Sequence, residues 1–388
     1  MTQHLTLSSV AKTKFLKYYL KDSKIPLITS SILYNFIYSA YYGGITEVYA
    51  PFGLNLTYLD VNSLYPSAIL DSMPSNQTYW IESYSEKGLD INSIYGVFFA
   101  QVITNNLPIG LLPIKTKEGL IFPNGKFDGT WTSVELQYAA SKGYKIKVIK
   151  GYQFTKEYNV FDEYVQSLSE QKDKLQGSQR TVVKGLLNSL TGRFALNFVK
   201  PKTKIVDSED LDYILATKKV NTFKEVNENN FIITYLPIVD KTLCEQHNLD
   251  YHKVILNESK AKIVDKVDVF KDVSIIISAF ATARARIHMH EIKLIIINNG
   301  GKLFYSDTDS LVTDLTLTKL IEIMPDKIGD TLGKLNFEYE IDRGYFISNK
   351  TYLLKLKSGL CFCFYSCSFA FYFCLLLLPF TFAVYFCL

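Results

Sequence analysis

The sequence predicts a mixed α/β (α+β) chain built on an antiparallel sheet, and three observations predict it. An apolar, alternating run at 55–70, NLTYLDVNSLYPSAIL, stops at Asp60; an amphipathic helical pattern covers 161–196; and a long apolar helix at 274–298 leads into LFYSDTDS at 303–310. Two apolar runs joined by a short polar turn form a hairpin, so the strands around Asp307 and Asp309 are expected to pair antiparallel.

With 388 residues of which 48% are hydrophobic, the chain can bury a sizeable core and is expected to form two or three domains. That composition excludes a disordered chain. A net charge of +4 permits nucleic-acid binding without requiring it. Tyr and Phe number 27 and 26 against 2 Trp, a usage that suits an AT-rich genome. Of six cysteines only Cys244 precedes residue 358, so neither a disulfide framework nor a spaced zinc site is expected in the body. Cys244 reads as a packed small hydrophobe.

Taken in order, the N-terminal MTQHLTLSSVAKTKFLKYYLKD lacks the long apolar stretch of a secretory signal. The run ending at Asp60 reads as a strand that turns near Pro66 into a short helix. Ile94–Ile103 and the alternating Lys145–Ile149 read as strands. The helical region breaks at Gln176-Gly177-Ser178, and its second half sets Lys184, Asn188 and Thr191 at i, i+4 and i+7 on one face, with Arg180 and Arg193 nearby. Residues 200–270 are polar and mixed, with expected strands at Asn230–Leu236 and Lys253–Leu256. No internal repeat interrupts the body.

On a strand, Asp307 and Asp309 would share a face with Thr308 turned away. Such a pair fits a solvated turn or a metal site. Its apolar flanks favour the metal, because two carboxylates at the edge of a core repel unless a cation neutralises them. Asp60 is a third carboxylate in a similar setting.

DVNSLYP at 60–66, KGLLNSLTG at 184–192 and YSDTDS at 305–310 resemble motifs A, B and C of family B DNA polymerases, in that order. Tyr41-Tyr42-Gly43-Gly44 is similar to the family's YxGG element and Lys350-Thr351-Tyr352 to its KxY element. Separations of roughly 120 residues between motifs resemble the protein-primed branch of phages and mitochondrial linear plasmids. The resemblance spans about residues 40–357. It implies a polymerase palm with short helical fingers and two inter-motif insertions: a connector at 1–54, palm at 55–100, an insertion like terminal-protein region 1 at 101–160, fingers at 161–198, a second insertion at 199–270, and palm again at 271–357.

The resemblance also implies roles. Two divalent cations about 4 Å apart drive nucleotidyl transfer, and hard oxygen ligands suit Mg²⁺, with Mn²⁺ as substitute. Asp60 and Asp309 would bridge the metals, Asp307 would support them, and the Val61 carbonyl would complete the triphosphate metal. Ser63, Leu64, Tyr65, Lys184, Asn188 and Thr191 would meet the nucleotide, with Tyr65 excluding a 2′-hydroxyl. Tyr42, Gly43, Gly44, Tyr305, Lys350 and Tyr352 would meet DNA and the primer end. Primer-template DNA, dNTPs and a priming terminal protein would be the partners.

Two departures stand beside this. Thr191 occupies a position where the family carries Tyr, and the chain is expected to lack the family's exonuclease and thumb. The uncharged segment 358–388 fits either a membrane-spanning helix flanked by Lys355 and Lys357 or a stretch read outside its ancestral frame. An inactive remnant and a membrane-tethered nucleic-acid or terminal-protein-binding protein therefore stand as alternatives. Lys142, Lys145, Lys147 and Lys150, interleaved with Tyr144 and Tyr152, fit either a partner surface on one strand face or a lysine-guarded edge. His288 and His290 lack a third ligand at sensible spacing and read as helix-surface or core-edge residues.

Overall fold

A helix that is apolar on every side has to be buried, and the 24-residue helix Ile275–Asn298 is the element around which most of this molecule is assembled. The computed structural model describes residues 6–21, 25–26, 28, 31–117, 119–196, 201–261, 274–359 and 361–364. It divides into one unit of Met1–Ala195 with Ser274–Leu388, and a second of Leu196–Val273.

In chain order the first unit contains α1 (Leu7–Tyr18), α2 (Ser31–Ser39), β1 (Thr46–Val48), β2 (Phe52–Val61), the short α3 (Leu64–Ala68), β3 (Met73–Glu82), β4 (Gly96–Ile103), β5 (Ile114–Lys115), β6 (Leu120–Ile121), β7 (Lys126–Thr132), α4 (Ser133–Ser141), β8 (Lys145–Glu157), α5 (Asp162–Lys174) and α6 (Gly177–Phe194). The second unit follows with β9 (Lys202–Val206), α7 (Ser208–Thr217), β10 (Lys218–Asn227), β11 (Asn230–Val239), α8 (Lys241–Gln246) and α9 (Tyr251–Ala261). The chain then returns to the first unit with α10 (Ile275–Asn298), β12 (Leu303–Asp307), β13 (Ser310–Thr313), α11 (Leu317–Ile323), β14 (Leu335–Ser348), β15 (Thr351–Leu356) and β16 (Cys361–Phe364).

The main sheet has the order β1-β12-β13-β2-β14-β15-β16 with every pair antiparallel, as expected of this α/β class. Its two faces alternate along each strand. Leu311 packs with Leu59, Val61, Leu335 and the α10 residues Met289, Ile292 and Ile296, while its neighbour Val312 packs on the other face with Tyr305, Ile341 and Phe346. Each buried aliphatic side chain contributes about 1.5–3 kcal/mol, which lets α10 also carry Arg286, His290 and Lys293 into the interior.

These three polar residues are each satisfied. His290 Nε2–H donates to the Ile109 carbonyl (3.2 Å), leaving Nδ1 to accept from the Tyr138 hydroxyl (3.1 Å), and burial holds its pKa down at about 4. It is therefore an interior strut rather than a surface residue. Lys293 donates to the Tyr49 hydroxyl (3.0 Å), which donates to Glu47 (2.5 Å), and burial pushes its pKa down to about 8.

The four-stranded sheet β3-β8-β4-β7, backed by α4, forms its own core around Phe98, Trp131 and Leu136. β3 and β4 pair with β8 and not with the main sheet, so the chain from Met73 to Glu82 and from Gly96 to Ile103 belongs to this smaller sheet. Three of the expected lysines do share one face of β8: a register shift between Val148 and Lys150 sets Lys145, Lys147 and Lys150 opposite Ile103, Gln101 and Phe99 on the outer face of β4, while Lys142 lies outside the strand and caps α4 over the Tyr138 ring. In the second unit, β10-β11-β9 is covered by α7 through Val206, Leu211 and Ile233, and Cys244 packs with Val239 and Val254. The expected strand Lys253–Leu256 is instead inside α9. Asp250 Oδ1 accepts the Lys253 N–H (3.1 Å), a helix N-cap that outweighs the β-propensity of Val254 and Ile255.

The expectation for the hydrophobic segment falls mostly outside the described residues, which stop at the strand Cys361–Phe364. Among the described residues no helix is long and apolar enough to cross a membrane.

Arg286 ties the parts together. It forks onto Glu135 of α4 (Nη2 2.6 Å, Nε 3.1 Å) and donates through Nη1 to the carbonyls of Tyr42 and Gly43, each at 2.7 Å, with both charged side chains 3% exposed. Thr132 Oγ1 donates to the other Glu135 oxygen at 2.9 Å. Removing one member of such a buried pair strands the other. Arg286→Leu is expected to lower the unfolding free energy by about 3–5 kcal/mol, measured by urea denaturation. The double change with Glu135→Leu should cost less than the two single changes summed; strict additivity would contradict the pairing.

Candidate active site

The site is assembled where three strands meet. Asp60 lies at the end of β2, opposite Ser310 on β13 and Asn336 on β14. Asp309 follows β12 in the two-residue turn to β13, and its carbonyl accepts the Val61 N–H at 2.7 Å, which locks the turn beside the end of β2. The pair Asp307 and Asp309 is therefore not on one extended strand. Thr308 is left-handed (φ 57°) and the Asp309 N–H donates to the Asp307 carbonyl at 2.7 Å, so the two carboxyls diverge.

Asp307 turns to its own set of donors. Thr46 Oγ1 reaches Oδ1 (2.8 Å) and Lys350 Nζ reaches Oδ2 (2.7 Å). The turn itself is clasped by the YxGG element: the Thr308 N–H donates to the Ile45 carbonyl (2.7 Å), and a Cβ at Gly44 would come within 2.6 Å of Thr308 Oγ1. No side chain fits there, which is a physical reason for Gly44.

Asp60 and Asp309 are left facing each other. Burial, the Asp309 charge and Glu338 push the Asp60 pKa from its ordinary 3.8 up to about 7, with Lys184 opposing. Burial and the Asp307 charge likewise raise Asp309, opposed by its own backbone N–H and by Lys184 and Lys350. Glu338 was not legible in the sequence. It sits in a register shift of β14 between Phe337 and Tyr339, which breaks the strand's alternation beside Asp60. Also missed is the 329–334 loop. It grips the chain just after Asp60, with the Asn62 N–H donating to the Lys334 carbonyl (2.9 Å) and the Gly333 N–H to the Asn62 carbonyl (2.8 Å).

The other expected residues divide. Ser63 is left-handed (φ 51°) and turns the chain from β2 into α3, which buries Leu64 in the core and leaves Tyr65 half-buried, its pKa pushed up to about 12 by burial. Lys184 is exposed on α6 and its charge reaches both Asp60 and Asp309. The face it begins then runs inward. Asn188 is half-buried with Oδ1 unpartnered, and Thr191 is 5% exposed with its carbonyl accepting from Ser278 of α10 (2.5 Å), so Thr191 is packed rather than presented to a ligand. Tyr42 and Tyr305 are also interior. Tyr42 donates to the Thr130 carbonyl (3.1 Å), while the Tyr305 hydroxyl accepts the Lys350 N–H (3.0 Å) and its ring packs on Phe346 and Tyr352. Both act by placing their neighbours, and Gly43, Lys350 and Tyr352 remain at least partly accessible.

The donor set fits a hard divalent cation. Two half-buried carboxylates of raised pKa repel until a cation lies between them. Among the described residues no three acidic, histidine or cysteine side chains form a closed cage, so such an ion would complete its shell with backbone carbonyl, water or ligand oxygens, as Mg²⁺ does.

Over residues 1–294 the chain matches the family described as DNA polymerase type B, organellar and viral. It is 43% identical over 358 residues to a probable DNA polymerase of Podospora anserina, covering 92% of this chain and 29% of that protein. To a probable DNA polymerase of Neurospora intermedia it is 32% identical over 374 residues, covering 92% and 35%. The chain thus spans about a third of the length of these curated relatives. Among solved structures its fold is similar to Phi29 DNA polymerase complexed with primer-template DNA and incoming nucleotide, with a TM-score of 0.65 at 19% identity, covering 91% of this chain and 56% of that one. An orthorhombic crystal form of Phi29 DNA polymerase gives 0.64 at 19%, with the same coverage.

The raised pKa has a consequence for stability. A carboxylate whose folded pKa lies above its ordinary value destabilises the fold as pH rises through that interval, here from about 4 to about 7, and the loss then stays constant. Asp60→Asn is expected to raise the Tm of the metal-free protein at pH 8 by about 2–4 °C and to leave it unchanged near pH 4. Thermal melts at the two pH values check this, and a lower Tm at pH 8 would contradict it.

Proposed function

Because this chain belongs to the type B DNA polymerases of organelles and viruses, we propose that it is a template-directed DNA polymerase that adds dNTPs to a 3′-hydroxyl by two-metal nucleotidyl transfer. The observation that supports the proposal is the half-buried Asp60–Asp309 pair, both raised in pKa although Lys184 opposes the shift.

In this reading Asp60, Asp309 and the Val61 carbonyl hold Mg²⁺, for which Mn²⁺ substitutes. The bound ions would lower the pKa of the attacking hydroxyl and neutralise the leaving pyrophosphate. Lys184 supplies a further positive charge to the triphosphate as the bond to the leaving group lengthens. The turn at Ser63 and the half-buried Tyr65 ring receive the incoming sugar, and the ring edge leaves no room for a 2′-hydroxyl. Lys350 and Tyr352 hold the primer end. Asp307 does not ligate metal here. It fixes the Lys350 ammonium and, through Thr46, the strand beside the turn.

The proposal extends to initiation on the hydroxyl of a terminal protein, supported by the spacing of the motifs and by the smaller sheet β3-β8-β4-β7. A mitochondrial setting is supported by the AT-type residue usage.

Primer extension by the full chain tests the reading. With Mg²⁺ or Mn²⁺, extension is expected, falling on the order of 10³-fold or more in Asp309→Ala and in Asp60→Ala. Tyr65→Ala should retain extension and raise ribonucleotide use relative to deoxyribonucleotide use. A folded chain that extends no primer with either metal would refute the proposal.

A further inference from the structure

Helix α1 lies far in sequence from the acidic residues, yet it packs on the helices that carry Lys184. Phe15 is fully buried, stacked on Phe161 (4.7 Å between centroids, 16° between planes) and edge-on to Tyr164 and Phe194. The Tyr19 ring is edge-on to Tyr164, its hydroxyl meets Ser167 Oγ at 3.3 Å, and Lys21 pairs with Glu163. Aromatic stacking, hydrogen bond and ion pair thus all join the C-terminal half of α1 to α5 and α6.

The N-terminal half also meets α6. Leu7 lies over Gly185, the residue after Lys184, and a Cβ at Gly185 would come within 2.3 Å of Leu7 Cδ2. Glycine in the middle of an 18-residue helix costs about 1 kcal/mol relative to alanine. Its φ is ordinary for a helix, so backbone conformation does not require it. The space a side chain would take is instead filled by the tip of the Leu7 side chain, the sole part of α1 within 4 Å of that position. Leu7 is itself 39% exposed, so the contact adds little to burial and its effect falls on the placement of the two helices.

We propose that α1 is a third helix of the fingers, and that the seating of Leu7 on Gly185 is a positioning contact that sets where Lys184 stands relative to Asp60 and Asp309, and so how tightly the triphosphate is gripped. The consequence for nucleotide grip rests on the polymerase reading, whereas the helix packing does not. Nothing in α1 touches the reacting atoms.

The test uses Gly185→Leu, Leu7→Ala and the double variant in the full chain. Leucine is a better helix former than glycine, so α6 keeps its own stability while Leu7 is displaced. Amide exchange across residues 7–18 should rise in Gly185→Leu and return towards the original in the double variant. The KM for dNTP should rise about 5–10-fold in Gly185→Leu with kcat changed less than about twofold, and the double variant should restore KM to within about twofold, the pattern of lost binding rather than lost chemistry. An unchanged KM in Gly185→Leu, or a failure of Leu7→Ala to restore it, overturns the proposal. If the original chain extends no primer, the polymerase reading fails, and the same comparison made on the Kd for a dNTP with Mg²⁺ decides the positioning contact.

Discussion

Two carboxylates cannot share the edge of an apolar sheet without a counter-charge, and much of this molecule is organised around keeping Asp60 and Asp309 in that position. β2 supplies Asp60 because it is the central strand, walled by β13 and β14, so its end cannot relax away from its neighbours. Asp309 is delivered by a turn whose carbonyl is bonded back to Val61. On the opposite face of the sheet Leu59, Val61 and Leu311 pack against α10 and hold the two strand ends in place. Burial and the neighbouring carboxylates hold both pKa values above the ordinary range.

A second ring of contacts keeps the turn in place. Arg286 holds the Tyr42 and Gly43 carbonyls, so Gly44 can lie against Thr308, Ile45 can accept its N–H, and Thr46 can reach Asp307. The same guanidinium is paired with Glu135 of the insertion. The four-stranded insertion sheet is thereby tied to the acidic turn through one buried ion pair, though it lies between the strands in sequence. Asp307, engaged by Lys350 and Thr46, is part of this ring.

What the sequence made legible was the part governed by local pattern. Alternation gave β2, an apolar 24-residue run gave α10, and the polar break after LFYS gave the hairpin, so Asp60, Asp307 and Asp309 could be named before any fold was known. Tertiary placement was less legible. Glu338 comes beside Asp60 only because β14 breaks register there, and Arg286 sits in a run, TARAR, whose two arginines look alike. Only the packing distinguishes them: Arg284 meets Asp71 and the Ser72 carbonyl at the rim, while Arg286 is interior. The stripe Lys184, Asn188, Thr191 was correct as geometry but not as exposure, since α6 tilts into α10. At α9 an Asp250 cap overrode β-propensity, and the partnership of α1 with α5 and α6 is a long-range contact that periodicity does not encode.

The most direct test of the central claim is Mn²⁺ binding to the full chain, followed by its paramagnetic signal between pH 5 and 9. If Asp60 must lose a proton to take the ion, the apparent affinity should rise up to about tenfold per pH unit below about pH 7 and level off above it. It should be lost in both Asp60→Asn and Asp309→Asn. Binding that is independent of pH across that range, or that survives either substitution, would contradict the account.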